Sequence, residues 1–170
     1  PANLSYEEAA ALSFGGCTAL AIIRKGKIGH GQSVLINGAS GAVGTMAVQL
    51  AKHAGAGVTA VCSAANADLV RSLGADHLID YNAEDFTKAV SGCDAVFDTV
   101  GGDVTQRSFA VLKPGGRAAF IASGPQAPKP QRGDVQSLRP NVARDRPHLE
   151  RIVALVGSGA VRPPEVTLFP

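Results

Sequence analysis

A glycine-rich turn with the spacing Ala39-x-Gly41-x-x-Gly44 has the residue types and spacing that can hold a phosphate. It follows an apolar run at residues 33–37 and opens directly into a segment of helical periodicity. Such a turn presents backbone N–H groups at the positive end of a helix, where a pyrophosphate can bind. Gly41 would let the backbone approach the pyrophosphate, and Gly44 would let the helix pack against the strand. A βα turn with incidental glycines is the alternative interpretation.

The end of the next strand indicates which dinucleotide such a turn would bind. An acidic residue about 20 positions after the turn binds the ribose of NAD, and its absence beside polar or basic groups admits the extra phosphate of NADP. Ser63 stands 24 positions after Ala39, and no acidic residue follows before Asp68. Ser63 and Asn66 can donate hydrogen bonds to a phosphate, and Arg71 could approach it, which favours NADP. Alternatively, Ser63 and Asn66 only cap the helix that follows.

Two later strands end in small residues. Residues 98–102 read Asp-Thr-Val-Gly-Gly, and residues 121–124 read Ile-Ala-Ser-Gly. Ligands of open parallel sheets bind outside the carboxyl ends of the strands, so these small residues leave room for a nicotinamide and its ribose. Asp98 could contact the ligand, or it could be a structural residue of the turn.

Short strands that alternate with amphipathic helices predict the scaffold that positions these residues. The pattern is typical of an α/β fold, a doubly wound parallel sheet of the Rossmann type, with about six strands and helices on both faces. The strands are predicted at residues 33–37, 58–62, 77–80, 94–99, 117–122 and 135–138. The helices are predicted at residues 5–25 with a break at Gly15-Gly16, and at 43–54, 67–73, 84–90, 104–112 and 148–156. Residues 165–169 are also strand-like, and residues 1–170 are expected to form one domain.

Composition argues against several classes of function. A net charge of +2 is too small to indicate nucleic acid or a membrane surface as a partner. No apolar stretch approaches the roughly 18 residues that a membrane span needs. Three widely spaced cysteines and four scattered histidines favour neither a disulfide framework nor a metal site, and they fit a cytoplasmic location. Residues 123–146, which are rich in proline and arginine, are either a flexible loop or a surface for a partner.

Six short motifs together resemble the medium-chain dehydrogenase/reductase superfamily. They are NGASGAVG at residues 37–44, VQLAK at 48–52, LGAD at 73–76, DY at 80–81, VGG at 100–102 and LKPGG at 112–116. Within the superfamily, the chain most resembles the zinc-independent quinone oxidoreductase branch, which includes zeta-crystallin. The resemblance extends over nearly the whole chain.

The resemblance implies where an NADP cofactor would lie. Family members bind the pyrophosphate through the loop that corresponds to Ser40, Gly41, Ala42 and Val43, and Gly44 completes the motif. They place the adenosine phosphate near Ser63, the adenine ribose near Tyr81, and the nicotinamide near Val100, Ile121, Ala122 and Ser123. The resemblance also places Thr18 at a helix start beside the nicotinamide ribose, which makes it the candidate catalytic residue. An ordinary N-cap threonine is the alternative.

Two departures from the family pattern concern the metal and the substrate. Zinc-dependent relatives place a metal-binding cysteine four residues before that threonine, but here the residue is Phe14, so no catalytic metal is expected. Family members also carry a GroES-like catalytic domain. We expect it to be absent from this chain, which would then be the dinucleotide-binding domain alone.

The resemblance implies an oxidoreductase that transfers hydride from NADPH to a small-molecule acceptor, either a quinone or an α,β-unsaturated carbonyl. Family members pair through the edge of the sheet, so a homodimer is expected there. Two alternatives stay open. One is an isolated nucleotide-binding or interaction domain without activity, and the other is the enoyl-reductase module of a multidomain synthase.

Overall fold

Six parallel strands form the centre of the molecule in the computed structural model, which describes residues 4–143, 145–164 and 166. In chain order they are β1 (Ser33–Asn37), β2 (Gly57–Cys62), β3 (His77–Asp80), β4 (Cys93–Asp98), β5 (Leu112–Phe120) and β6 (Gln136–Leu138). They lie in the sheet in the order β3-β2-β1-β4-β5-β6, and each neighbouring pair is parallel. The strand order therefore reverses between β1 and β4, as in a Rossmann fold.

Helices cover both faces of this sheet, which confirms the predicted fold class. They are α1 (Tyr6–Lys25), α2 (Ala42–His53), α3 (Ala67–Ser72), α4 (Phe86–Ala89), α5 (Asp103–Ala110) and α6 (Arg146–Gly157), with a 3₁₀ turn at Ala64–Asn66. Met46 of α2 and Ile152 of α6 pack on one face, whereas Phe109 of α5 packs on the other. Successive side chains of a strand point to opposite faces of the sheet. Ile36 of β1 therefore packs in the same core as Met46, and Leu35 packs in the core that contains Phe109.

The first helix is continuous, so the predicted break at Gly15-Gly16 is wrong. α1 runs for 20 residues without interruption. Both glycines lie at helix contacts: a Cβ on Gly15 would collide with the carbonyl oxygen of Ala42, and one on Gly16 would lie 2.7 Å from Ile152 Cγ1. Close packing against α2 and α6 therefore requires glycine here and outweighs its low helix propensity.

The fifth strand begins and ends earlier than the predicted range of 117–122. β5 starts at Leu112, and a register shift opposite Cys93 and Ala95 of β4 absorbs the intervening residues as a bulge. It ends at Phe120, so residues 121–123 follow the strand at the carboxyl edge of the sheet. The fourth helix is also shorter than predicted, because α4 is confined to Phe86–Ala89.

The segment between β5 and α6 is bonded to the sheet. Arg132 Nη1 donates to the carbonyl oxygen of Leu112 at 2.9 Å, and Arg139 Nη1 donates to that of Phe120 at 3.1 Å. β6 lies within this segment and pairs with β5. This segment therefore contains the edge strand of the sheet, and arginine side chains on either side of that strand bond it to β5. A partner at this edge, including a second copy of the chain, stays a prediction.

The strand predicted at residues 165–169 lies outside the described residues, apart from Val166. In the described part of the chain, no helix is long and apolar enough to cross a membrane. The assignment of residues 1–170 to a single dinucleotide-binding domain stays a prediction.

Candidate functional site

A cleft opens at the carboxyl edge of the sheet, where β1 and β4 lie side by side. The helix after β1 packs on one face of the sheet and the helix after β4 packs on the other, so the chain diverges and leaves a crevice. The cleft has a volume of about 780 Å³. Its lining comes from the glycine turn (Gly38, Ser40, Gly41), from residues 81–86, and from Thr99, Val100, Val104 and Arg107.

The glycines of the turn differ in what surrounds them. A Cβ on Gly44 would lie 2.7 Å from the Cα of Ala39, inside the backbone of the turn. A Cβ on Gly41 would meet the Gly38 carbonyl oxygen at 3.4 Å, an ordinary contact, and no other described atom within 4 Å. Gly44 therefore permits the packing of α2 on the turn, whereas Gly41 leaves open space that a ligand can approach.

The first turn of α2 presents backbone donors beside this open space. Gly41 is the N-cap, and no side chain of the described residues caps the helix. The N–H groups of Ala42, Val43 and Gly44 precede the first helical hydrogen bond, which Thr45 makes to the Gly41 carbonyl at 2.9 Å. The helix dipole adds partial positive charge at the same point. This arrangement can bind an anion of the size of a pyrophosphate.

Ser40, Ser63 and Asn66 form a polar cluster between the glycine turn and the end of β2. The Asn66 side-chain amide donates to Ser63 Oγ at 3.1 Å and to Ser40 Oγ at 3.3 Å. Ser63 and Asn66 occupy the N-cap positions of the 3₁₀ turn and of α3, but neither side chain makes a capping hydrogen bond. Because both serine oxygens accept from Asn66, both hydroxyl hydrogens remain to donate to a ligand. Arg71 pairs with Asp68 at 3.1 Å on the surface.

Asp98 is a structural residue of the turn after β4. It is 1% exposed, and its carboxylate accepts from the N–H groups of Val100 at 2.9 Å and Gly101 at 3.0 Å. The Thr105 hydroxyl donates to its second oxygen at 2.8 Å. The hydrogen bonds fix the loop that carries Val100, whose side chain is exposed at the cleft.

Thr18 and residues 121–123 lie outside the lining of the cleft. Thr18 lies in the middle of α1, so the predicted helix start and the N-cap alternative are both wrong. Its hydroxyl is buried and has no hydrogen-bond partner among the described residues, and the same holds for the hydroxyl of Ser123. Buried hydroxyls are normally bonded, so a bound cofactor is one group that would satisfy them. The roles of Thr18, Ile121, Ala122 and Ser123 stay predictions.

Asn37, which the sequence analysis did not identify, connects the elements at the floor of the cleft. Its side-chain amide donates to the Ser108 hydroxyl of α5 at 3.1 Å, and its carbonyl oxygen accepts from the Thr99 hydroxyl at 2.7 Å. Its side-chain oxygen is buried and has no partner in the described residues. The ends of β1 and β4 and helix α5 are therefore held together by one residue.

One wall of the cleft is a charged and aromatic contact that the sequence analysis also missed. Arg107 donates to Asp85 Oδ1 at 2.6 Å, and its guanidinium carbon lies 4.8 Å from the centroid of the Phe86 ring. Asp85 is the N-cap of α4, and it accepts from the N–H and the hydroxyl of Thr87. The hydrogen bonds from Thr87, and then the one from Arg107, lower the pKa of Asp85 to about 2. The carboxylate is therefore charged at neutral pH.

Of the two charged residues in this wall, local sequence indicates only the role of Asp85. An aspartate two residues before Thr87 is an N-cap signal. Nothing local links it to Arg107, which lies 22 positions along the chain.

The described residues offer no donor set for a metal ion. Among them there is no group of three or more His, Cys, Asp or Glu that could hold one. All three cysteines are buried and lie on different elements. Burial raises the pKa of the Cys62 thiol, and it raises the pKa of Cys93 to about 11. These two thiols are protonated at neutral pH, whereas zinc binds the thiolate.

A second groove, of about 600 Å³, lies on the α1 and α2 side of the glycine turn. Phe14 lines it together with Ala42 and Pro163. The chain at Arg162 is fixed to α2 by Gln49, whose amide oxygen accepts from the Arg162 N–H at 2.7 Å and whose amide nitrogen donates to the Arg162 carbonyl at 3.3 Å. Phe14 thus lies beside the glycine turn, at the position where the resemblance implies a cysteine in zinc-dependent relatives.

Comparison with known proteins identifies relatives of this chain. A family model described as zinc-binding dehydrogenase matches residues 42–146. The 2-methylene-furan-3-one reductase of Solanum lycopersicum is 37% identical over 165 residues, which are 96% of this chain and 40% of that protein.

Two solved structures have the same fold. The quinone oxidoreductase from Coxiella burnetii matches with a TM-score of 0.83 and 31% identity, over 94% of this chain and 51% of that one. The CurK enoyl reductase matches with a TM-score of 0.86 and 28% identity, over 100% of this chain and 57% of that one. The chain therefore spans about half the length of these solved structures and 40% of the tomato reductase.

Alanine substitutions at the two glycines test their different roles. Gly44→Ala places a methyl group inside the turn and is expected to lower the free energy of unfolding by about 1–3 kcal/mol. Gly41→Ala meets no close atom and has ordinary backbone angles, so it is expected to cost less than about 1 kcal/mol, the usual effect of alanine at an N-cap. Urea unfolding of both variants measures the difference. Equal losses of unfolding free energy in the two variants would contradict the conclusion that the space beside Gly41 is open to a ligand.

Proposed function

Since this chain belongs to the zinc-binding dehydrogenase family, within the medium-chain dehydrogenase/reductase superfamily, we propose that it is the NADP(H)-binding domain of an oxidoreductase. The proposed reaction transfers hydride from NADPH to a quinone or an α,β-unsaturated carbonyl without a metal. The observation that carries the proposal is the open space at Gly41 beside the uncapped N-terminus of α2.

The residues at the glycine turn fit the pyrophosphate of a dinucleotide. Its two negative charges would face the N–H groups of Ala42, Val43 and Gly44 and the positive end of the helix dipole. A side chain at residue 41 would occupy the same space, and this chain has a glycine there. Gly44 keeps α2 close enough to the turn for these donors to converge.

The polar cluster at Ser63 supports NADPH over NADH. Two hydroxyl hydrogens, on Ser40 and Ser63, are available to donate to the additional phosphate of NADPH, and Asn66 orients both serine oxygens. An enzyme that prefers NADH would have at residue 63 a carboxylate, which would repel that phosphate. The cluster contains no charged side chain, so its selectivity rests on hydrogen bonds.

When bound, the reduced nicotinamide supplies the hydride, and the protein orients it and excludes water. The loop that Asp98 fixes would hold Val100 beside the ring, and residues 121–123 would form the neighbouring wall. The resemblance places Thr18 beside the nicotinamide ribose, but its hydroxyl is buried outside the lining of the cleft, so no bond from it to the cofactor is proposed. No step through zinc is proposed, because Phe14 occupies the position of a ligand and the described residues offer no donor set.

The names of the relatives support the class of acceptor. The tomato relative is a reductase of an unsaturated furanone, and the Coxiella structure is a quinone oxidoreductase. Both acceptors are electron-poor and take hydride at carbon or oxygen without prior activation by a metal. A second candidate is the enoyl-reductase module of a synthase, which the full coverage of this chain by the CurK enoyl reductase favours.

Substitution of Ser63 tests the choice of cofactor. Ser63→Asp adds a carboxylate that repels the extra phosphate, so the preference is expected to move from NADPH to NADH. Ser63→Ala removes one donor without adding charge, and it is expected to weaken NADPH by about tenfold and leave NADH unchanged. Thermal unfolding measures both, since a ligand at 100 times its Kd adds about 2.7 kcal/mol. NADPH that still binds Ser63→Asp better than NADH would refute Ser63 as the selector.

Turnover by the full-length protein tests the reaction. Oxidation of NADPH is expected with 1,4-benzoquinone or with a simple enone, and a metal chelator is expected to leave the rate unchanged. A rate seen only with an enoyl thioester would favour the enoyl-reductase module. Binding of NADPH without turnover of any acceptor would favour a nucleotide-binding domain without activity, and inhibition by the chelator would contradict the metal-free reaction.

A further inference from the structure

We propose that Arg107 is a cofactor-binding residue of the cleft, and that its guanidinium is a stacking surface for the adenine ring of the dinucleotide. The inference rests on the proposed function and assigns a residue that neither the motifs nor the family resemblance identified. The observation behind it is the contact of Arg107 with Asp85 and Phe86 in the wall of the cleft.

The guanidinium is fixed in position on two sides. Along its edge, Nη2 donates to Asp85 Oδ1 at 2.6 Å. Across one flat face it covers the ring of Phe86, which is 4% exposed and therefore does not move away from it. The Arg107 side chain is nevertheless 43% exposed, so its other face remains open at the cleft. A flat cation with one covered and one open face is suited to stack on an aromatic ring.

Charge favours a neutral base over a phosphate at this wall. Glu84 and Asp85 line the cleft together with Arg107, so this wall carries two carboxylates and one guanidinium. The low pKa of Asp85 keeps its carboxylate charged at neutral pH. A phosphate would meet a net negative wall, whereas adenine is uncharged and its exocyclic amine can donate to a carboxylate at the rim.

The other walls of the cleft suit a flat ring system. Val61, Val100 and Val104 are apolar, and the ring of Tyr81 is exposed at the mouth. The cleft also reaches Ser40, which belongs to the polar cluster proposed for the adenosine phosphate. A nucleoside whose phosphate lies at Ser40 and Ser63 would therefore direct its base into this cleft toward Arg107.

Calorimetric titration of four variants tests the inference. Arg107→Gln removes the stacking cation, and Arg107→Lys keeps the charge without the flat surface. Asp85→Asn keeps an N-cap for α4 but loses the charge-assisted bond to Arg107. Arg146→Gln is the matched control, because that arginine forms an exposed pair with Glu150 on α6. Each variant and the unsubstituted chain are titrated with NADPH, NADH and adenosine 2′,5′-bisphosphate, and thermal unfolding checks the fold of each.

Stacking predicts that Arg107→Gln and Arg107→Lys weaken all three ligands by the same factor, about tenfold. Asp85→Asn is expected to weaken them less, and Arg146→Gln not at all. An Arg107→Lys variant with unchanged affinity, beside an Arg107→Gln variant that loses NADPH but keeps NADH, would show a charge contact with the phosphate and overturn the stacking role. Unchanged affinity in both Arg107 variants would also overturn it.

Failure of the proposed function gives a different result. In that case the unsubstituted chain binds neither NADPH nor NADH, and the stacking role falls with it. If the unsubstituted chain binds both and the Arg107 variants bind equally well, the proposed function stands and the role of Arg107 alone is refuted. Should Arg107→Gln fail to fold, Arg107→Lys and Asp85→Asn still decide between these results.

Discussion

The close packing of α2 on the turn after β1 is the constraint on which the rest of the site depends. Gly44 lies against the backbone of Ala39 so closely that a Cβ would stand 2.7 Å from the Ala39 Cα. Because no side chain separates them, the helix begins directly after the strand and its first N–H groups point to one place. The space at Gly41 is open because the same turn brings no other described atom close to it. A candidate anion site thus follows from two glycines with opposite surroundings.

The cleft beside this turn follows from the topology of the sheet. The connections after β1 and β4 leave toward opposite faces, and the ends of both strands are held together by the bond from Thr99 to Asn37. Asp98 stabilises the turn after β4 by accepting a hydrogen bond from the backbone N–H of Val100. The ion pair of Asp85 with Arg107 forms the opposite wall of the cleft. Backbone donors and the helix dipole supply the positive charge at the turn, while the far wall is acidic. A dinucleotide, with charged phosphates in the middle and a neutral base at one end, matches this distribution of charge.

The parts of the fold that local sequence determines were predictable. The strand before the glycine turn, the helix after it and the order of later elements follow from residues close together in the chain, and the fold class is confirmed. The predicted helix break at Gly15-Gly16 is wrong because these glycines let α1 pack against Ala42 and Ile152. Such packing leaves no local pattern in the sequence. The bulge at the start of β5 was missed for the same reason, since the register opposite Cys93 and Ala95 sets it.

In the candidate site, too, local sequence predicts some features, whereas others depend on contacts between distant parts of the chain. Ser63 and Asn66 were identified from their distance to the turn, but their hydrogen bonds to each other and to Ser40 depend on the meeting of two loops. Arg107 and Asp85 are a pair because α5 and the segment before α4 converge in space, and no spacing rule joins them.

An amide NMR titration of this chain with NADP⁺ tests the central claim most directly. If the carboxyl edge of the sheet binds the dinucleotide, the amide signals that shift are those of residues 40–44, of Ser63 and Asn66, of the cleft from Tyr81 to Phe86, and of Val100 and residues 121–123. The signals of α6 and of the amino ends of the strands stay where they are. Saturating NADP⁺ that shifts no signals, or that shifts those at the amino ends of the strands instead, would contradict the account.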